Sequence, residues 1–111
     1  MTRPIPRRGL AVAGFVVLFA TGAALGAQSK SVAISNFAFD PPSLTVERGT
    51  RVVWTNRDEE PHTVTSANAN APFKSPGLDT DETFSYVFDK PGTYKYFCTI
   101  HPHMVGQIIV R

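Results

Sequence analysis

Short stretches of alternating apolar and polar residues, separated by Pro, Gly, Asn and Asp, fill the chain from residue 28 onward. Between residues 82 and 88, three aromatic residues occupy every second position and would share one face of an extended strand. Residues 50–56 place Val52 and Trp54 on one face in the same way. The sequence therefore predicts a series of β-strands. The stretches with this pattern are residues 32–34, 37–39, 43–47, 50–56, 82–88, 93–98 and 105–110.

The same region lacks the pattern of an amphipathic helix. No part of it shows a sustained spacing of about 3.6 residues, and Pro or Gly interrupts most stretches long enough for a helix. About seven or eight short strands with frequent turns are typical of an antiparallel β-sandwich or barrel. We therefore predict an all-β fold, in which residues 67–81 form the longest segment without a strand pattern.

The first 27 residues have a different character. Residues 9–27 follow three arginines, are apolar except for Thr21, and end in a run of small residues, which together are the parts of a secretory signal peptide. The alternative is a retained membrane anchor, since these nineteen residues approach the roughly 20 that span a bilayer. Ten of the nineteen are Gly or Ala, which favours cleavage. We expect residues 1–27 to be a signal peptide, residues 28–111 to form one domain, and the protein to be periplasmic or otherwise exported.

Removal of this segment changes the charge balance. Residues 1–27 contain three of the eleven basic residues and none of the nine acidic ones, so the formal net charge falls from +2 to −1. The remaining 84 residues contain no cluster of Lys or Arg, and nucleic-acid binding is therefore not expected. The only run of like charges in them is residues 58–60, which we interpret as a solvated turn.

Candidate chemistry is concentrated near the C-terminus. Cys98, His101 and Met104 follow one another at intervals of three residues, and His62 lies far upstream. A thiolate, imidazoles and a thioether form a soft donor set, which selects copper over magnesium, calcium or manganese. Each residue alone would more often be structural, but their combination predicts a copper site with two histidines, one cysteine and a weak axial methionine. Cys98 is the only cysteine, which excludes an intrachain disulfide, a dithiol redox centre and a dinuclear copper site with two cysteines.

These residues resemble those of the cupredoxins, most closely the amicyanin and plastocyanin-like type. The loop from Cys98 to Met104 before a closing strand is the most specific match, and the resemblance covers nearly all of residues 28–111. It implies a Greek-key β-sandwich with one type 1 copper ion bound by His62, Cys98, His101 and Met104. It also implies an electron carrier that cycles between Cu(II) and Cu(I) and contacts redox partner proteins through an apolar surface around His101. Further matching stretches are residues 39–41, 49–56, 61–62 and 84–96.

Two positions depart from the cupredoxin pattern. Thr63 stands where many cupredoxins have Asn after the first histidine. We therefore expect different hydrogen bonding between that segment and the ligand loop, with Thr63 and Thr99 as the residues that orient the ligands. His103 stands where amicyanins have an aromatic residue, and it is a rival ligand. Because a side chain two residues after His101 tends to point away, we prefer His101.

Other functions fit parts of this pattern. A copper-binding protein for trafficking or protection in the cell envelope would hold exchangeable copper, with His103 as a handover ligand. A zinc site could combine Cys98 with His62, His101 and His103, but zinc gains little from Met104. A nucleophilic pair of Cys98 and His62 would need a substrate cleft, for which 84 residues leave little room. We therefore expect a monomer without enzymatic activity and without a small-molecule substrate.

Overall fold

The structure, a computed structural model, describes residues 2–4, 9, 14, 28–69 and 71–111. The predicted signal peptide lies outside the described residues except for residues 2–4, 9 and 14, and it stays a prediction. No helix in the described part of the chain is long and apolar enough to cross a membrane. All regular elements of these residues are strands, which confirms the predicted fold class. The strands are β1 (Ser29–Ser35), β2 (Ala38–Asp40), β3 (Ser43–Val46), β4 (Thr50–Asn56), β5 (Thr65–Ser66), β6 (Thr83–Phe88), β7 (Gly92–Phe97) and β8 (Val105–Val110).

The strands form two four-stranded sheets, in the orders β2-β1-β4-β6 and β3-β8-β7-β5. The chain passes to the second sheet between β2 and β3 and returns to the first between β3 and β4. Because of these crossovers, β4 lies parallel to β1 and β8 lies parallel to β3, where the pattern predicted antiparallel neighbours. The remaining strand pairs are antiparallel. The predicted sandwich of seven or eight strands is confirmed, although β5 is too short to show alternation and was missed.

Trp54 on β4 is the largest side chain of the core between the two sheets. It is fully buried, and its ring packs against those of Phe73, Phe84, Phe88 and Tyr96. A buried aromatic side chain removes about 150–250 Å² from water, which at about 25 cal/mol per Å² stabilises the fold by roughly 4–6 kcal/mol. This cluster therefore supplies the core of a small domain that has no disulfide.

Gly106 on β8 lies directly opposite Tyr96 on β7. A Cβ atom at residue 106 would lie 2.5 Å from both Cζ and Oη of Tyr96, whose buried ring packs against Phe39 and Trp54 and cannot move aside cheaply. We therefore predict that Gly106→Ala lowers the free energy of unfolding by about 1–3 kcal/mol, as overpacking usually does. Urea denaturation measures this change. Gly77→Ala is the matched control, because its Cβ would meet nothing within 4 Å; equal losses in the two variants would contradict the prediction.

Candidate metal centre

The ladder between β7 and β8 determines where the ligand loop begins and ends. Its last pair is Phe97 with Val105, so Cys98 and Met104 leave the two strands side by side. The N–H of Cys98 donates to the carbonyl oxygen of Met104 at 3.1 Å. The N–H of Met104 donates to the carbonyl oxygen of His101 at 2.8 Å. These bonds close the loop on itself and orient the residues within it.

His62 comes from a different segment, which follows β4. Its N–H and carbonyl groups pair with those of Leu78, at 3.1 Å and 2.7 Å. Asn56, at the end of β4, is fully buried, and its amide donates to the carbonyl oxygens of Leu78 and Glu60. Its side-chain oxygen accepts the N–H of Asp58. The segment that carries His62 is therefore held by backbone hydrogen bonds with Leu78 and by the side-chain hydrogen bonds of Asn56.

Three of the four predicted ligands converge on one point. The Nδ1 atoms of His62 and His101 lie 3.8 Å and 3.9 Å from Sγ of Cys98, and the three donor atoms lie within 4.8 Å of one another. His62 and Cys98 are fully buried, whereas His101 is partly exposed. Met104 is buried at the end of the same loop. A thiolate and two imidazoles at this spacing suit a single soft or borderline metal ion.

The surroundings of Cys98 favour its thiolate form. Burial by itself raises the pKa of the thiol, but the N–H of Thr63 and the imidazoles of His62 and His101 outweigh burial and lower the pKa from 9.0 to about 6. The N–H of Thr63 lies 3.3 Å from Sγ. Since the thiolate rather than the thiol binds metals, the protein presents Cys98 in its binding form at neutral pH.

Two threonines join the segment of His62 to the ligand loop. The N–H of Thr99 donates to Oγ1 of Thr63 at 2.8 Å, and the two hydroxyl oxygens are also 2.8 Å apart. The sequence predicted that Thr63 and Thr99 would orient the ligands. The structure places the two side chains in contact, and their effect on the ligands stays a prediction. The link runs between residues that adjoin His62 and Cys98 and so holds these two ligands together.

Asp58 was predicted to lie in a solvated turn, and this is wrong for its side chain. The Nε2–H of His62 donates to Oδ2 of Asp58 at 2.9 Å, and the N–H groups of Asn36 and Phe37 donate to the same carboxylate at 2.7 Å and 2.9 Å. Burial raises the pKa of this carboxyl, but these hydrogen bonds outweigh it and hold the pKa below its usual value. With the proton on Nε2, Nδ1 of His62 presents its lone pair to the site. The acidic neighbours at residues 59–60 are exposed, as predicted.

The turn between β1 and β2 brings Phe37 against both histidines. Asn36 and Phe37 have φ angles of 53° and 56°, as in the two-residue turns of β-hairpins. The ring of Phe37 lies edge-on to those of His62 and His101, with centroids 5.2 Å and 5.1 Å apart. Phe37 and Ile100 are both about half exposed, so apolar side chains adjoin the exposed edge of His101. The alternation pattern predicted that Phe37 lies in a strand. This is wrong, because Phe37 lies in the turn between β1 and β2, and a left-handed turn leaves no periodic signal in the sequence.

His103, the rival ligand, is exposed. In the described part of the chain, the residues whose donor atoms converge are His62, Cys98 and His101. The geometry therefore favours His101 over His103 as the ligand from this loop.

Comparison with known proteins agrees with this geometry. Residues 9–110 match the family model of the cupredoxin-like domain. The chain belongs to the cupredoxin family. This cupredoxin is 33% identical to amicyanin-alpha of Methylorubrum extorquens over an alignment 118 positions long, which covers 94% of this chain and 99% of that protein. It is 34% identical to the chloroplastic plastocyanin of Tetradesmus obliquus, with 93% and 77% covered. The solved structure of a reduced amicyanin variant matches with a TM-score of 0.71 and 35% identity, covering 78% of this chain and 83% of that one.

Membership of this family identifies the cofactor as one type 1 copper ion. The residues present fit copper, because a buried thiolate and two imidazole nitrogens converge and a buried thioether ends the same loop. Amicyanin and plastocyanin are electron carriers, which agrees with the prediction that this cupredoxin is not an enzyme.

The contacts of Asp58 lead to a prediction about stability. Asp58→Ala is expected to lower the free energy of unfolding of the copper-free protein by about 1–2 kcal/mol, because two backbone N–H groups and the Nε2–H of His62 lose a charged acceptor. Urea denaturation measures the change. Glu59→Ala, at an exposed neighbour, is the control and should stay within about 0.5 kcal/mol of wild type. If the two variants were equally stable, the carboxylate of Asp58 would not anchor the β1–β2 turn and the ring of His62.

Proposed function

We propose that this cupredoxin is a blue copper protein that carries single electrons between redox partners, with copper bound by His62, Cys98, His101 and Met104. The observation that carries the proposal is the convergence of the sulfur of Cys98 with the Nδ1 atoms of the two histidines. The similarity to amicyanin and plastocyanin supports it. Copper supplies the one-electron change between Cu(II) and Cu(I), and the chain supplies the ligands, their orientation and access for partners.

Most of the proposed ligands are held rigidly. His62 and Cys98 are buried; the ring of His62 is bonded to Asp58, and the sulfur of Cys98 accepts the N–H of Thr63. Groups that are fixed before the reaction need little rearrangement during it, which keeps the barrier to electron transfer low. Met104 would supply a fourth, weak ligand, because a thioether binds copper less tightly than a thiolate or an imidazole.

The exposed edge of His101 is the proposed site of electron exchange. His101 is partly exposed, in contrast to the fully buried His62 and Cys98. Phe37 packs against it, and Phe37 and Ile100 are 50% and 49% exposed. An apolar rim allows a partner protein to approach closely and to exclude water from the contact. Redox partner proteins are therefore proposed to dock on this surface.

We also propose that the protein works outside the cytoplasm, in the periplasm or an equivalent compartment. The arginines followed by the apolar residues 9–27 support a signal peptide over residues 1–27. The mature protein would then be the single domain of residues 28–111, acting as a monomer.

Copper trafficking and zinc binding are less well supported. Trafficking requires ligands that open readily, whereas His62 is fully buried and bonded to Asp58. The proposed handover residue, His103, is not part of the converging group. A zinc site needs a fourth strong donor, and the thioether of Met104 is a poor one. The geometry therefore favours electron transfer.

Reconstitution with Cu(II) tests the proposed site. The purified protein is expected to show an intense thiolate-to-copper charge-transfer band and a narrow copper hyperfine splitting. Cys98→Ser removes the thiolate and should abolish both features, even though His62 and His101 can still bind copper. His103→Ala is the control and should keep the spectrum. Persistence of the band in Cys98→Ser would refute the assignment, and a colourless wild-type protein that retains zinc would favour the zinc site.

The different exposure of the two histidines leads to another prediction. His101→Gly should open the site to solvent, so that added imidazole fills the gap and restores the charge-transfer band. His62→Gly is the matched control; because His62 is fully buried and covered by Phe37, imidazole should restore far less of the band. Titration with imidazole, followed by visible absorbance, measures both. Equal rescue of the two variants would show that His101 is not the exposed ligand.

A further inference from the structure

The hydroxyl of Thr63 lies between two acceptors. Its Oγ1 is 2.8 Å from Oγ1 of Thr99 and 3.8 Å from Sγ of Cys98. The same oxygen accepts the N–H of Thr99 at 2.8 Å. Separately, the N–H of Thr63 donates to the sulfur at 3.3 Å. Thr63 therefore offers the sulfur of Cys98 two donors. The backbone N–H is a constant donor, whereas the hydroxyl can donate to Oγ1 of Thr99 instead.

The direction of the hydroxyl proton follows from the number of bonds each oxygen can form. A hydroxyl has one proton and two lone pairs, and one lone pair of Thr63 is occupied by the N–H of Thr99. In one arrangement, Thr63 donates to Oγ1 of Thr99, and the sulfur receives only the backbone N–H. In the other, the hydroxyl of Thr99 donates to Thr63, and the proton of Thr63 turns toward the sulfur of Cys98.

Burial makes the direction of the Thr63 hydroxyl proton sensitive to the charge on the sulfur of Cys98. Cys98 is fully buried and Thr63 is 7% exposed, so water does not offer either group another partner. Thr99 is exposed, and water can satisfy its hydroxyl in either arrangement. In both arrangements, the hydroxyl protons of Thr63 and Thr99 therefore have an acceptor. The difference in free energy between them depends on how much negative charge the sulfur carries, because hydrogen bonds to charged acceptors are stronger than those to neutral ones.

We propose that the Thr63 hydroxyl is a redox-responsive donor, which turns toward Cys98 when the copper is reduced and toward Thr99 when it is oxidised. The inference rests on the proposed function as a copper electron carrier. Cu(II) draws electron density from the thiolate, whereas Cu(I) leaves more negative charge on the sulfur. The electron comes from the redox partner protein, and the proton stays covalently bound to the oxygen of Thr63, so only the direction of the O–H bond changes.

A hydrogen bond that strengthens in the reduced state raises the reduction potential. Thr99 competes for the same proton and therefore opposes this rise. Thr63→Val removes the donor and should lower the potential. Thr99→Val removes the competing acceptor but keeps the backbone N–H that bonds to Thr63, and it should raise the potential. The two variants of one hydrogen-bonded pair are thus expected to shift the potential in opposite directions.

Redox titration of the full-length, copper-loaded protein tests this expectation. Thr63→Val should reduce the preference for Cu(I) about tenfold, which is about 59 mV for a one-electron couple. Thr99→Val should increase that preference about threefold, since it removes only a competing neutral hydrogen bond. Thr63→Ser keeps a hydroxyl and should match wild type.

The energy of the charge-transfer band provides an independent readout. A hydrogen bond to the sulfur lowers the energy of its lone pairs, and the band arises from the Cu(II) protein. Because the Thr63 hydroxyl donates to Thr99 in that state, Thr63→Val should leave the band close to its wild-type wavelength. The band should move to shorter wavelength in Thr99→Val, where the hydroxyl has the sulfur as its remaining acceptor. The potential is therefore expected to change in both variants, and the band in Thr99→Val alone.

A purely structural role for the pair predicts a different pattern. In that case Thr99→Val, which keeps the backbone link, would retain the wild-type potential, and this result would overturn the proposal. Shifts of both variants in the same direction would overturn it as well. If Thr63→Val fails to fold or to bind copper, the comparison of Thr99→Val with wild type decides. Absence of the charge-transfer band from wild type would refute the proposed function and this inference with it, whereas a band with the wrong pattern of shifts refutes the inference alone.

Discussion

The antiparallel ladder between β7 and β8 is the constraint on which the metal centre depends. Because Phe97 pairs with Val105, Cys98 and Met104 leave the ladder side by side, and only residues 99–103 connect them. A loop this short has few conformations, so the position of His101 follows from the two ends. A shift of the register by one residue would turn Cys98 to the opposite face of its sheet and away from His62. The pairing of two strands thus determines the positions of three of the four proposed ligands.

The strands that bury one face could be predicted from the sequence, because burial imposes a period of two on side chains such as Val52 and Trp54. The convergence of Cys98 and His101 could be predicted because a single thiol lies at short spacing from a histidine and a methionine. The role of Asp58 could not be predicted. Its bond to the N–H of Asn36 joins residues 22 positions apart and depends on the arrangement of separate segments. The parallel strand pairs were missed for the same reason, since local alternation carries no information about crossovers.

Asp58 couples two parts of the molecule that the chain separates. One carboxylate oxygen accepts the N–H of Asn36, and the other accepts the N–H of Phe37 and the Nε2–H of His62. The conformation of the β1–β2 turn and the proton position on His62 therefore depend on one side chain. A substitution in this turn can alter the metal centre without touching a ligand, because it changes the N–H groups that donate to the carboxylate of Asp58.

Phe37 and His101 reach the same surface from different sheets. Phe37 lies in the turn of the first sheet, and His101 lies in the loop that joins two strands of the second. Neither sheet alone presents both rings, so the apolar contact around His101 exists only after the two sheets have packed together. A partner that docks on this proposed surface would thereby select fully assembled molecules. Under the proposed function, a chain that has folded only in part would offer no complete docking surface, and electrons would not be delivered to an unfinished site.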